Sequence, residues 1–183
     1  MKKPNKSKNV LPDRHTKHPD GVQPIIKPII QPVLQLSVQF VVPAQDLTRQ
    51  RIRSWVKRAV DQTWLAYAPD AQGLHANLRF VDQTEGQALN TQFRKKPKAT
   101  NVLTFEYGIQ NDGMMSADII ICVPVLMQEA IDQQKMFRQH AAHLIVHGTL
   151  HALGFDHLEE DQAQEMEALE TEILSQMNIP APY

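Results

Sequence analysis

Apolar and polar positions trade places along this chain with two periods. Leu34, Leu36, Val38, Phe40 and Val42 alternate with Gln35, Ser37, Gln39 and Val41. Period two predicts a half-buried strand, which Pro43 closes. The spacing then lengthens. Leu47, Ile52, Trp55, Val56, Ala59, Val60 and Trp64 fall near helical intervals, which predicts a helix with Asp46 as its N-cap and Pro69 beyond its end. Alternation returns in "ANLRFVD", "NVLTFEY" and "ADIIICV", giving three further strands. "TEGQALNTQFR" reads as a short helix between the second and third strands, despite Gly86. Asp112-Gly113 predicts a hairpin between the last two strands. Beyond Pro124, which suits a first helical turn, helices are expected over about Val125–Gln134, Lys135–Leu153 and Glu160–Met177. Gly154 stops the second of these, and Leu169, Ile173 and Met177 of the last are read as core. The pattern predicts an α+β fold, with about four strands in one mixed sheet packed with about five helices.

Residues 1–32 fall outside this pattern. They hold six of the twelve prolines, each removing a backbone donor and biasing its predecessor to extended geometry. We read 1–32 as a disordered extension and 33–183 as the folded domain. Charge divides at the same point. Residues 1–32 carry seven Lys and Arg against two Asp, and the remainder carries twelve against eighteen acidic residues. A basic arm on an acidic body suits nucleic-acid contact, or is a solvated tail. Hydrophobic residues make up 42% of the 183, enough to fill one core of ordinary size.

Cys122 is the single cysteine. An internal disulfide and a Cys-based zinc site are therefore excluded, and a reducing cytoplasm fits. Within its apolar run the thiol reads as buried and inert. No run of about 18 apolar residues is available for a transmembrane helix, and no apolar stretch at the N-terminus resembles a secretory signal.

The strongest chemical signal is "HLIVHGTLHALGFDH", residues 143–157. His143, His147 and His151 are spaced by four, so they share one helix face. Adjacent members can reach one ion, but the outer pair stands about 12 Å apart. Two ligands therefore come from the helix, and the turn at Gly154 brings the third back. This assigns His147, His151 and His157 as ligands of a metal site at the end of a helix. Three imidazoles with an open fourth position mark a catalytic zinc site. His143 then orients a ligand or simply packs. The string H-x-x-x-H-x-x-G-x-x-H resembles the metzincin protease motif, but Gly148 stands where the protease places its general base. Peptide hydrolysis becomes the second choice.

Arg94, Lys95, Lys96 and Lys98 precede the third strand. They form either a solvated basic turn or a phosphate clamp, for which the planar fork of arginine is suited. Arg49, Arg51, Arg53, Lys57 and Arg58 cluster on the first helix, either to line an RNA groove with them or as a solvated face.

Together "LNTQFRKKPKATNVLTFEY", "ADIIIC" and "HLIVHGTLHALGFDH" resemble the YbeY family of bacterial rRNA maturation endoribonucleases, over about residues 34–178. The resemblance implies a zinc-dependent, single-strand-specific endoribonuclease. It implies a role in 3′-end maturation of 16S rRNA and in ribosome quality control, with rRNA and small-subunit components as partners, in the cytoplasm and away from membranes. The family's zinc-binding histidines fall on His147, His151 and His157, and its functionally important arginine on Arg94. Thr104, Glu106, Pro97 and Ala117 depart from the family pattern near the third and fourth strands, which leaves the metal residues themselves unchanged and bears only on local loop geometry. Arg94 would then hold the phosphate, and zinc would polarise it or supply hydroxide. Asp156 orients a ligand, acts as base, caps a helix or only completes the turn. A binding factor for ribosome assembly with a structural metal is the other alternative. Oligomeric state stays open.

Overall fold

The computed structural model describes residues 31–68, 70–156 and 159–183. The reading of 1–32 as disordered therefore lies outside the described residues, save Gln31 and Pro32. Four strands and five helices follow in the order β1 (Val33–Phe40), α1 (Arg49–Tyr67), β2 (Gly73–Val81), α2 (Gln83–Arg94), β3 (Val102–Ile109), β4 (Met114–Cys122), α3 (Val123–Asp132), α4 (Phe137–Ala152) and α5 (Glu160–Ser175). The strands form one mixed sheet in the order β1-β2-β4-β3. β2 runs parallel to β1 and to β4, while β3 and β4 form the expected antiparallel hairpin.

Alternation decides which face is covered. Leu74, Ala76, Leu78 and Phe80 of β2 are fully buried, as are Ala117, Ile119 and Ile121 of β4. The intervening His75 and Asn77 are exposed. Against the apolar face lie the buried side chains of α1 and α4, among them Ile52, Val56, Val60, Ile145 and Leu150. α5 packs on α4 and α1 through Met166, Ile173 and Leu174, with Leu169 and Met177 partly buried beside them. At the far end of the sheet, Phe80 stacks on Phe40 with ring centroids 4.8 Å apart. Phe80→Ala is expected to lower stability by about 3–5 kcal/mol, read as a fall in the urea midpoint at unchanged slope. A loss below about 1 kcal/mol would show that the core refills the space.

Two local expectations are corrected. Thr48, not Asp46, caps α1: its hydroxyl accepts a hydrogen bond from the Arg51 amide at 3.2 Å. Asp46 sits at a φ of 62°, a left-handed turn conformation that Asp tolerates. α3 begins at Val123, two residues earlier than periodicity suggested, which puts Pro124 in its first turn. Cys122 is buried as expected, and burial raises its thiol pKa above the ordinary value.

Candidate functional site

α4 is apolar on three sides. Ala141, Ala142, Leu144, Ile145, Val146, Leu150 and Ala152 are buried, which leaves His143, His147 and His151 as a half-buried stripe. The His147 and His151 rings are 4.7 Å apart between centroids, and those of His143 and His147 are 6.2 Å apart. The helix closes at Leu153, and Gly154 follows with a φ of 91°. Glycine adopts this backbone without a Cβ clash. The Phe155 amide bonds back to the Leu150 carbonyl at 3.1 Å, so the chain reverses and carries Asp156 toward the histidine face. His157, the third expected ligand, lies outside the described residues.

One cleft, of about 290 Å³, gathers most of the expected site. Arg94, His147, His151 and Asp156 line it, together with Asn101 and Thr104. Arg94 is the last residue of α2, and Lys95 caps the helix at a φ of 59°. The following loop is fixed from beneath. The buried Asn90 donates to the Lys98 carbonyl at 2.7 Å, and Gln87 donates to the Pro97 carbonyl at 3.2 Å. Lys95, Lys96 and Lys98 are exposed and do not line the cleft. The cations of α1 also point elsewhere. Arg49 and Arg53 donate to the Val38 and Leu34 carbonyls of β1, Arg51 donates to the Asp46 carbonyl, and Lys57 pairs with Asp61. Of the cations proposed for an RNA groove, only Arg94 stands in the cleft. Partial desolvation and then the nearby Asp156 charge raise the Glu106 carboxyl above its ordinary pKa.

Gly148 faces the other way. A Cβ there would stand 2.8 Å from the Ile119 Cγ2 and 3.3 Å from the Thr104 Oγ1. α4 thus lies too close to the sheet for the side chain that a protease of the metzincin type needs at this position.

Behind the histidines lies a residue that the sequence reading missed. Glu170 of α5 is fully buried. One of its oxygens pairs with His147 Nδ1 at 2.8 Å, and the other with His143 Nε2 at 2.8 Å. Tyr183 donates its hydroxyl to that second oxygen at 2.6 Å. Burial alone would raise the Glu170 carboxyl. Hydrogen bonds from both imidazoles and the tyrosine, with attraction from His147, outweigh it and bring it down to about 2. His143, His147 and Glu170 place ligand atoms within 4.8 Å of one another, a possible metal-binding cluster. The donor chemistry fits a divalent ion on the cleft side too. Two imidazoles one helical turn apart both line the cleft, and the first is held from behind by a carboxylate, an arrangement common to metal-binding histidines. A signal for Glu170 was present in the sequence. It falls in the stripe Met166, Glu170, Ile173 and Leu174, where a carboxylate at an apolar position needs a buried partner.

Residues 39–178 match the family model described as Endoribonuclease YbeY. Endoribonuclease YbeY of Bordetella pertussis is 49% identical over 148 residues, covering 81% of this chain and 94% of that protein. The protein of that name from Herminiimonas arsenicoxydans is 48% identical over 156 residues, covering 81% and 94%. That from Ralstonia nicotianae is 46% identical over 151 residues, covering 81% and 79%.

Proposed function

The chain belongs to the YbeY endoribonuclease family, and on that premise we propose that its cleft cuts single-stranded RNA with the help of a divalent metal ion. Internal cleavage of RNA is the activity its relatives are named for. The reading is carried by one observation: Arg94, His147, His151 and Asp156, from two separate stretches of chain, line a single cleft. His147 and His151, with His157 from the turn beyond Gly154, would hold the ion, and zinc suits three imidazoles. Bound there, a divalent ion supplies Lewis-acid polarisation of a phosphate oxygen or activation of water.

The protein's own groups do the rest. Arg94 offers two parallel donors to the phosphate and fixes its orientation. Charge gathers on the phosphate oxygens as the phosphorus becomes five-coordinate, and the guanidinium offsets it. Asp156, beside the ligands, holds an imidazole or takes a proton. A cleft with one arginine suits a flexible single strand, whose backbone can bend into it, better than a duplex. We further propose that the substrate is the 3′ region of 16S rRNA, met in the cytoplasm on or near the small ribosomal subunit. Maturation and quality control of that particle would be the use. Among the described residues no helix is long and apolar enough to cross a membrane. A catalytic domain would span residues 33–183.

Cleavage of a labelled single-stranded RNA by wild type and Arg94→Ala tests this reading. The variant is expected to keep its metal and its melting temperature, and to cleave about 10²–10³-fold more slowly. Unchanged cleavage, or cleavage that survives chelation, would overturn it. The product ends identify the nucleophile: a 2′,3′-cyclic or 3′-phosphate for the 2′-hydroxyl, a 5′-phosphate for water.

A further inference from the structure

Glu170 reaches His147 from α5, on the side away from Arg94 and Asp156. Its carboxylate is fully buried and meets three groups, His143, His147 and Tyr183. We propose that Glu170 is a positioning residue, which holds the Nδ1 proton of His147 and so makes Nε2 the coordinating nitrogen of that ring. The inference rests on the metal-dependent reading of the cleft given above. It concerns not which residues bind the ion but what fixes one of them.

The alternative is that Glu170 is itself a ligand, with His143 and His147. The distances speak against it. Tetrahedral ligands about 2.1 Å from an ion stand about 3.4 Å apart. Here each carboxylate oxygen lies 2.8 Å from its own imidazole nitrogen, a separation suited to a charge-assisted hydrogen bond. Tyr183 adds a third donor at 2.6 Å, leaving little of the carboxylate for an ion. A carboxylate removed from water in this way is stable only when its donors are in place. The network therefore holds the His147 ring rather than following it. His143 then has a defined part. Its Nε2 carries the proton given to Glu170, while its buried Nδ1 has no hydrogen-bond partner among the described residues. A ring in that tautomer serves the carboxylate. Tyr183 lies edge-on to the same ring, with centroids 5.5 Å apart.

The test uses the full chain as wild type, Glu170→Gln and Tyr183→Phe. Affinity for zinc is measured by competition with a chromogenic chelator, and the visible spectrum of the cobalt-loaded protein is recorded. Glu170→Gln is expected to bind one ion per chain about 10–100-fold more weakly, with a shifted cobalt spectrum. Tyr183→Phe removes the hydroxyl that donates to the carboxylate and is expected to weaken binding about threefold to tenfold. Affinity in Glu170→Gln within about twofold of wild type would overturn the proposal, as would loss of binding by a folded variant, the mark of a ligand. Should Glu170→Gln not fold, Tyr183→Phe decides: weaker binding supports the proposal and unchanged binding overturns it. Wild-type protein that binds no zinc would overturn the reading of the cleft and the inference with it.

Discussion

His151→Ala is expected to leave a folded protein with almost no bound metal, and RNA cleavage reduced by more than about a thousandfold. The size follows from what is removed. Loss of a group that only supports a ligand costs about 10–100-fold, whereas loss of the ligand removes the ion's electrostatic contribution altogether. Folding survives because His151 is half-buried on the cleft side of α4, while the core contacts of that turn belong to Leu150 and Ala152. The stability change should stay within about 1 kcal/mol, as for other substitutions away from the core. Metal analysis, thermal melting and a cleavage assay on one preparation give the answer. A folded variant that keeps both its ion and its activity would remove His151 from the site. His147→Ala is less clear to interpret, because it would also leave the Glu170 carboxylate without one of its three partners.

Gly148→Glu is expected to unfold much of the population and to yield no peptidase. A Cβ at 148 meets a methyl group of buried Ile119 at 2.8 Å, a branched side chain with little freedom to move. Alanine there gains about 1 kcal/mol of helix propensity but loses about 1–3 kcal/mol to overpacking. Glutamate adds a carboxylate pressed against an apolar sheet, and the total should exceed about 4 kcal/mol, a large part of a domain's stability. Urea denaturation measures the loss, and casein turnover tests for the protease. A stable Gly148→Glu protein that cleaves peptide would revive the metzincin reading.

These two residues mark what could be read from the chain alone. Spacing by four put His147 and His151 on one face, and the glycine beyond them gave the reversal, because both signals are local. Strand alternation from Leu34 to Phe40 and from Asn77 to Phe80 was legible for the same reason: a sheet with one covered face imposes its period directly. The helix start at Thr48 was harder, since Asp46 and Thr48 are both good caps. The choice depended on which of them took the left-handed turn. Glu170 was not legible as a partner of His147. Twenty-three residues separate them, and no local period links α5 to α4. The basic run at Arg94–Lys98 showed a cluster but not its aim. Only the cap at Lys95 and the grip of Asn90 on the loop decide that Arg94 enters the cleft while the lysines stay outside.

The strand order has a consequence for how the molecule assembles. β1 reaches β2 across the whole of α1, and β2 reaches β4 across α2 and β3. β3 meets β4 through a turn of four residues. Loop-closure entropy grows with the length of chain enclosed, so the hairpin is the pairing that forms with the least help from the rest. It carries Thr104, part of the cleft wall, and Ile119, the surface on which Gly148 comes to rest. The floor for α4 thus rests on a local pairing, and the cleft is complete only once α4 has docked upon it.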